Sequence, residues 1–283
     1  MNWTDEGALY SQISLFLRED LGRGDLSSQA VIARNTRARA RFIAGEQMIV
    51  AGLEAAEEVF LTLDSQQQLE AFVSDGEQVE AGKLIARMVG FADVLLAGER
   101  VALNLIQHLS GVATLTNQFV RAVEETTAQI VDSREATPGL RMLERYALVL
   151  GGGSIGRFGL DDGVVITSNH CVMSGGIVAA VKTAKEKVGH LHKIGVQVSD
   201  ETEVKHAVEQ GADTLIFEDL SVDDARKLIE QARQLSDRVS IECGGQHLTV
   251  DSARAFAEAG ADLLSISTLS CRAPQVTFKL SPF

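Results

Sequence analysis

Cysteine is scarce in this 283-residue chain, and Cys171, Cys243 and Cys271 are widely spaced and odd in number. That spacing excludes a disulfide framework and a cysteine zinc site, so the three are read as reduced thiols. Histidine supplies no metal pattern either: His108, His190, His192, His206 and His247 lack ligand spacing backed by other donors. Positive charge is also short. With 26 Lys and Arg against 39 Asp and Glu, the net charge of −13 argues against nucleic acid or an anionic membrane surface as the main partner. No apolar run approaches the ~20 residues of a membrane-spanning helix. Met1 to Glu6 has neither the basic start nor the apolar core of a secretion signal. A cytoplasmic protein with a small partner is expected, and no segment is of low complexity.

What is present is enough for a core, since 45% of residues are hydrophobic. The first hundred residues mix helix and short strands. Helical periodicity runs from Ala8 to Glu19 and from Gly52 to Leu63, strand alternation from Arg37 to Gly45, and glycine turns punctuate Val73 to Gly90. The last of these superficially resembles a lipoyl-carrying hairpin. Lys83, however, follows a glycine at the start of an apolar strand rather than sitting at a hairpin tip. A long helix is expected from Leu95 to Val120.

From Ile130 the pattern changes. Short apolar runs at Val164–Ile166, Ile194–Val198, Thr214–Phe217, Val239–Ile241 and Leu263–Ile266 alternate with helical segments at Ile177–Val188, Glu201–Gln210, Val222–Leu235 and Ser252–Ala259. This βα alternation implies a parallel sheet, and the similar unit lengths favour a barrel over an open sheet. Residues at the C-terminal ends of barrel strands face the site; here they are Gln197, Glu218, Asp219, Cys243, Gly244, Gly245 and Ser267, with Ser265 within the last strand. The Glu218–Asp219 carboxylates suit a metal such as Mg²⁺ or sugar hydroxyls, and the Gly-Gly turn suits a phosphate.

Arginines crowd among glycines between Asp132 and Leu160. Arg134 follows an apolar strand and Arg157 follows Gly151-Gly152-Gly153, so both belong to loops and suit an anionic small molecule. Arg141 and Arg145, four apart, read equally well as solvated positions on one helix face. Cys171 beside His170 invites a nucleophile reading, but neighbours on a strand point to opposite faces.

Taken in order, Glu19-Asp20-Leu21-Gly22-Arg23-Gly24-Asp25, Gly98-Glu99-Arg100-Val101-Ala102-Leu103-Asn104-Leu105, Leu109 to Thr114, Thr137-Pro138-Gly139-Leu140-Arg141, Gly151-Gly152-Gly153, Arg157-Phe158-Gly159-Leu160, Asn169-His170 and Leu269 to Pro274 resemble the quinolinate phosphoribosyltransferase family. The resemblance spans nearly the whole chain. It implies an α/β protein with an N-terminal α+β sandwich-like domain over 1–110, joined by the tail 272–283, and a C-terminal incomplete α/β barrel over 111–271 of the type II phosphoribosyltransferase kind. It also implies a homodimer or hexamer whose sites are shared between subunits, with phosphoribosyl pyrophosphate as co-substrate.

Residue by residue, the resemblance puts Gln197 and Glu218 in catalysis, and Arg100, Arg134, Glu135, Arg157, Thr167 and His170 around the substrate. Cys243, Gly244, Gly245, Ser265 and Ser267 fall at the phosphates, and Glu218 with Asp219 at Mg²⁺. Several of these depart from the family pattern. Ser133-Arg134-Glu135-Ala136 stands for Thr-Arg-Lys-Thr, Ile155-Gly156-Arg157 for Asn-His-Arg, and Thr167 for a lysine. Gln197, Glu218, Asp219, Cys243 and Cys271 stand for Glu, Asp, Asn, Ser and His. Of the family's usual site cations, Arg100, Arg134 and Arg157 remain. Three readings stay open: the parent reaction on quinolinate, transfer to a different acceptor, and a non-catalytic paralogue that binds an anion or a catalytic homologue.

Overall fold

The computed structural model describes residues 6–267 and 275–282. In chain order its elements are α1 (Glu6–Leu21), α2 (Leu26–Val31), β1 (Arg37–Ala44), β2 (Met48–Ile49), α3 (Leu53–Leu63), β3 (Gln68–Ala71), β4 (Gln78–Val79), β5 (Leu84–Phe91), α4 (Ala92–Ala122), β6 (Gln129–Asp132) and α5 (Arg141–Leu150). They continue as β7 (Val164–Ile166), α6 (Ser168–Ser174), α7 (Ile177–Lys187), β8 (Ile194–Gln197), α8 (Glu201–Glu209), β9 (Thr214–Glu218), α9 (Val222–Leu235), β10 (Ser240–Gly244), α10 (Val250–Glu258), β11 (Leu263–Ile266) and β12 (Val276–Pro282). Leu269 to Pro274, and with them Cys271, lie outside the described residues. No described helix is long and apolar enough to cross a membrane.

Two compact units result. The first comprises 1–117, 136–151 and 269–283, the second 118–135 and 152–268. The segment holding α5 falls in the first unit. In the first unit the alternation of β1 buries Ala38, Ala40 and Phe42 and exposes Arg37, Arg39 and Arg41. The sheet order is β12-β1-β5-β3, all antiparallel, with β2 and β4 paired separately. Phe42, Phe60 and Phe278 meet in ring contacts at its inner face, so the C-terminal strand helps close the N-terminal core.

Two polar clusters brace that unit. Asp75 accepts the backbone N–H groups of Gly52 and Leu53 at the start of α3 and the hydroxyl of Tyr146 at 2.9 Å. Burial pushes the Asp75 carboxyl and the Tyr146 hydroxyl upward. Glu144, 2% exposed, accepts from His108 Nε2 at 2.7 Å and from the Thr137 N–H. Burial pushes its carboxyl up, but those hydrogen bonds outweigh it and leave the net direction downward. Arg145 is 3% exposed, which corrects the solvated-face reading for that residue.

In the second unit six parallel strands run in the order β6-β11-β10-β9-β8-β7. β6 and β7 form its two edges, so the sheet is an incomplete barrel. Side chains alternate faces: Leu215, Phe217, Ile241 and Cys243 are buried together in register, while Ile216, Glu218, Glu242 and Gly244 point the other way.

Candidate active site

The parallel strands end at Asp132, Ile166, Gln197, Glu218, Gly244 and Ile266, and most of the expected site residues collect there. Gln197 links three elements. Its Oε1 accepts the Ser168 N–H at 3.1 Å, opening α6, and its Nε2 donates to Glu218 Oε2 at 2.6 Å. Only an amide can do both, since a carboxylate has no proton to offer the carboxylate of Glu218. The Glu218 carboxyl is pushed up by burial first, then by the charges of Asp219 and Glu135. Glu135 therefore belongs to the same electrostatic environment as Glu218.

The two loop arginines are brought together by backbone docking. Ser154 bridges to Val131 and donates its N–H to Ile130 O, and Gly156 N–H donates to Asp132 Oδ1 at 2.7 Å. The loop carrying Arg157 is thus tied to the end of β6, two residues before Arg134. Burial pushes the Arg157 guanidinium downward, and the nearby positive charge of Arg134 adds to it. Arg157 Nη2 donates to Leu160 O at 3.0 Å. Arg134 adopts φ 69°, a left-handed backbone that costs a non-glycine residue about 1–2 kcal/mol. Its Nε is buried without a hydrogen-bond partner. A strained backbone and an open donor on one cationic residue suit an anionic ligand.

Thr167 and His170 are joined more locally. They form a capping box at the start of α6, in which His170 Nδ1 accepts the Thr167 N–H at 3.2 Å. That leaves Nε2 to carry the proton of the neutral ring. Residues 168–174 are helix, which corrects the strand assumed for Asn169-His170-Cys171. Cys171 lies on this helix, buried, and its thiol is pushed up by burial and then by Glu203, which opposes formation of a thiolate.

At the phosphate end the residues separate. Cys243 is 1% exposed and its thiol is pushed up to about 12 by burial, so its side chain is packed in the core. Gly244 and Gly245 turn the chain after β10. The Asp219 N–H donates to Gly244 O at 3.1 Å, and Asp219 Oδ1 accepts the Gln246 N–H at 2.7 Å. Asp219, at φ 58°, thus ties one carboxylate oxygen to the neighbouring turn. Among the described residues no group of three or more His, Cys, Asp or Glu is arranged to hold a metal. Ser265 is buried and its hydroxyl lies 3.5 Å from Cys243 O, whereas Ser267 Oγ is buried with no partner and remains an available donor.

Glu242 is the residue sequence reasoning missed. It lies on the face of β10 opposite Ile241 and Cys243, and its carboxyl is pushed up by burial although Ser265 hydrogen-bonds to it, with Asp132 and Glu218 adding repulsion. The alternation Ile241-Glu242-Cys243 was the available signal. Arg100 is exposed on α4 in the first unit.

Known proteins resemble this chain over nearly its whole length. The family model for the quinolinate phosphoribosyl transferase N-terminal domain matches residues 25–110, and that for the C-terminal domain matches 112–281. The chain is 37% identical, over 92% of its length and 87% of the relative's, to a probable nicotinate-nucleotide pyrophosphorylase [carboxylating] of Synechocystis. It is 38% identical to the protein of that name from Bacillus subtilis, covering 90% of this chain and 86% of the other. The solved structure of the nicotinate-nucleotide pyrophosphorylase from Francisella tularensis superposes with a TM-score of 0.90 at 30% identity, covering 98% of both chains.

Proposed function

Because the chain belongs to the quinolinate phosphoribosyl transferase family, we propose that it is a pentosyltransferase that moves phosphoribosyl from phosphoribosyl pyrophosphate to a ring nitrogen of an aromatic carboxylate. The parent reaction converts quinolinate to nicotinate mononucleotide, CO₂ and pyrophosphate. The observation that carries the reading is the Arg134–Arg157 pair, a cationic clamp at the C-terminal end of the parallel sheet with an open donor at Arg134 Nε. Clamping the acceptor's carboxylate orients its ring nitrogen for attack on the anomeric carbon, while the bond to pyrophosphate breaks.

The other residues take roles by chemistry. Glu218 is assigned to meet the positive charge that develops on the ribose, with Gln197, its hydrogen-bond partner at 2.6 Å, fixing its orientation. Ser267 and the Gly244–Gly245 turn serve the phosphates. Glu218 is exposed and repelled by Asp219 and Glu135, which fits a Mg²⁺ ion held by one protein carboxylate together with donor phosphates. Such an ion, when bound, neutralises the charge of the departing pyrophosphate. Arg100, His170 and Thr167 complete the substrate contacts, with Arg100 supplied by the neighbouring subunit of a homodimer or hexamer in the cytoplasm.

The non-catalytic reading is not favoured, since relatives that match over 90% of the chain are named as pyrophosphorylases. Thr167, where the family pattern has a lysine, supports an acceptor other than quinolinate, while Glu135, which also replaces a lysine, bears on the donor. Mass-spectrometric identification of the nucleotide formed from phosphoribosyl pyrophosphate and each candidate acid tests this. A nucleotide product is expected; unreacted donor with every acid speaks against transfer.

A further inference from the structure

The carboxylate of Asp132 has no part in the proposed transfer, yet it holds the segment that carries one half of the arginine clamp. Asp132 ends β6. Its backbone lies in register with Ile266 of β11, and the next residue, Ser133, donates its N–H to Ile266 O at 3.0 Å. The carboxylate therefore projects from a point fixed by the parallel sheet, two residues before Arg134. Its Oδ1 accepts the Gly156 N–H at 2.7 Å, one residue before Arg157.

The approach of the two segments is close. A Cβ at Gly156 would stand 3.2 Å from Asp132 O, so a side chain there would press the segment off β6. Beyond Gly156 the segment turns on itself, with Arg157 Nη2 donating to Leu160 O and the Phe158 N–H to Asp162 Oδ2 at 2.9 Å. Those bonds shape the turn without reaching β6. Burial and then the positive charge of Arg134 push the Arg157 guanidinium downward, so the two cations stand close enough to repel. A segment that brings one cation to another needs a tether to keep it there before an anion arrives. A carboxylate on a backbone N–H is such a tether, roughly twice as strong as a neutral hydrogen bond. Two simpler roles compete with this one. As plain charge, Asp132 would repel any anion drawn to the clamp, and its loss would tighten binding. As an ordinary turn bond, it would change stability alone.

We propose that Asp132 is the positioning residue of the clamp: its hydrogen bond to the Gly156 N–H holds Arg157 beside Arg134, so that an anionic ligand meets two guanidinium groups already assembled. The inference rests on the reading of that pair as the clamp for the acceptor's carboxylate. Preassembly removes the ordering of one long side chain from the binding step, an effect of roughly three- to tenfold in affinity.

Calorimetric titration of the full chain with quinolinate and with nicotinate, beside amide hydrogen exchange at Gly156, tests it. The variants are Asp132→Asn, Asp132→Ala, Arg157→Ala and the double variant of the last two. Asn keeps the acceptor oxygen without the charge. Asp132→Ala is expected to bind about three- to tenfold more weakly and to exchange Gly156 faster, while Asp132→Asn binds at least as well as the parent. In steady state the loss should fall on KM for the acceptor, with kcat within about twofold. In the Arg157→Ala background, Asp132→Ala should have no further effect on affinity, because the group it positions is gone.

Tighter binding in both Asn and Ala forms overturns the proposal in favour of plain charge. Unchanged affinity in Asp132→Ala with a lowered Tm overturns it in favour of a turn bond, and full additivity in the double variant overturns it as well. The clamp itself is checked apart from Asp132. If Arg134→Ala leaves affinity unchanged, or the parent binds neither acid, the clamp reading fails and this inference with it. Should Asp132→Ala fail to fold by circular dichroism, Gly156→Ala, which keeps the carboxylate but loosens the contact, carries the same comparison.

Discussion

Gln197 donates its side-chain amide to Glu218 across 2.6 Å while accepting the Ser168 N–H, so one neutral side chain ties the Glu218 carboxylate to the start of α6. Replacing it by Glu sets two carboxylates against each other and removes the donor. Gln197→Glu should lower apo stability by about 1 kcal/mol, the scale of a partly exposed hydrogen bond to a charge. Millimolar Mg²⁺ should restore the Tm of the variant more than it raises that of the parent. An equal response of both proteins to the ion argues against a cation beside Glu218.

Arg134 combines φ 69° with an unpaired Nε. Arg134→Gly should leave Tm unchanged or raised, because glycine accepts that backbone freely. The same change should weaken binding of an anionic ligand by about 10- to 100-fold, the range of a charge-assisted hydrogen bond. Calorimetric titration with a pyridine carboxylate beside a melting curve separates the two effects. Unchanged affinity removes Arg134 from the site.

Glu135 adds negative charge to the surroundings of Glu218. If the pocket holds phosphoribosyl pyrophosphate, Glu135→Lys should tighten donor binding by up to about fivefold, the scale of one exposed charge pair. Equilibrium binding of the donor with Mg²⁺ measures it. No gain means the pocket is rebuilt for another ligand.

The Glu242 carboxyl is raised by burial and by neighbouring acids. A folded-state value above the unfolded one means the folded state holds its proton longer. The associated stability is complete below the unfolded value of about 4.3 and is lost as pH rises through the folded value. Glu242→Gln keeps the shape without the charge. Its Tm should match the parent near pH 4 and exceed it near pH 7, and melting curves across that range decide. A constant gap across pH shows that Glu242 is not strained by its charge.

Much of the second unit was readable because short apolar runs alternating with helical segments admit little but buried parallel strands; Val164–Ile166 and Leu263–Ile266 are strands with those bounds. The helix at 168–174 was not readable. Its first turn has no apolar period, and its start is set by Thr167 and the imidazole of His170 rather than by the Glu or Gln of an ordinary capping box. Cys243 was taken by position for a phosphate contact, yet it is in phase with Ile241 and so faces the core. Strand parity alone separates Cys243 from Glu242. The turn of Asp219 toward Gln246 depends on a left-handed backbone, which no spacing rule announces. The burial of Arg145 follows from the packing of α5 in the first unit, a long-range arrangement invisible to local periodicity.

The most direct test of the central claim is release of pyrophosphate by the purified chain with Mg²⁺, phosphoribosyl pyrophosphate and a panel of pyridine and pyrimidine carboxylates that includes quinolinate. Release dependent on an acid from the panel, and lost in Arg134→Ala, is the result expected of a transferase. Release with quinolinate identifies the parent reaction, and release with another acid identifies the changed acceptor. Silence across the whole panel from a folded oligomer contradicts the account.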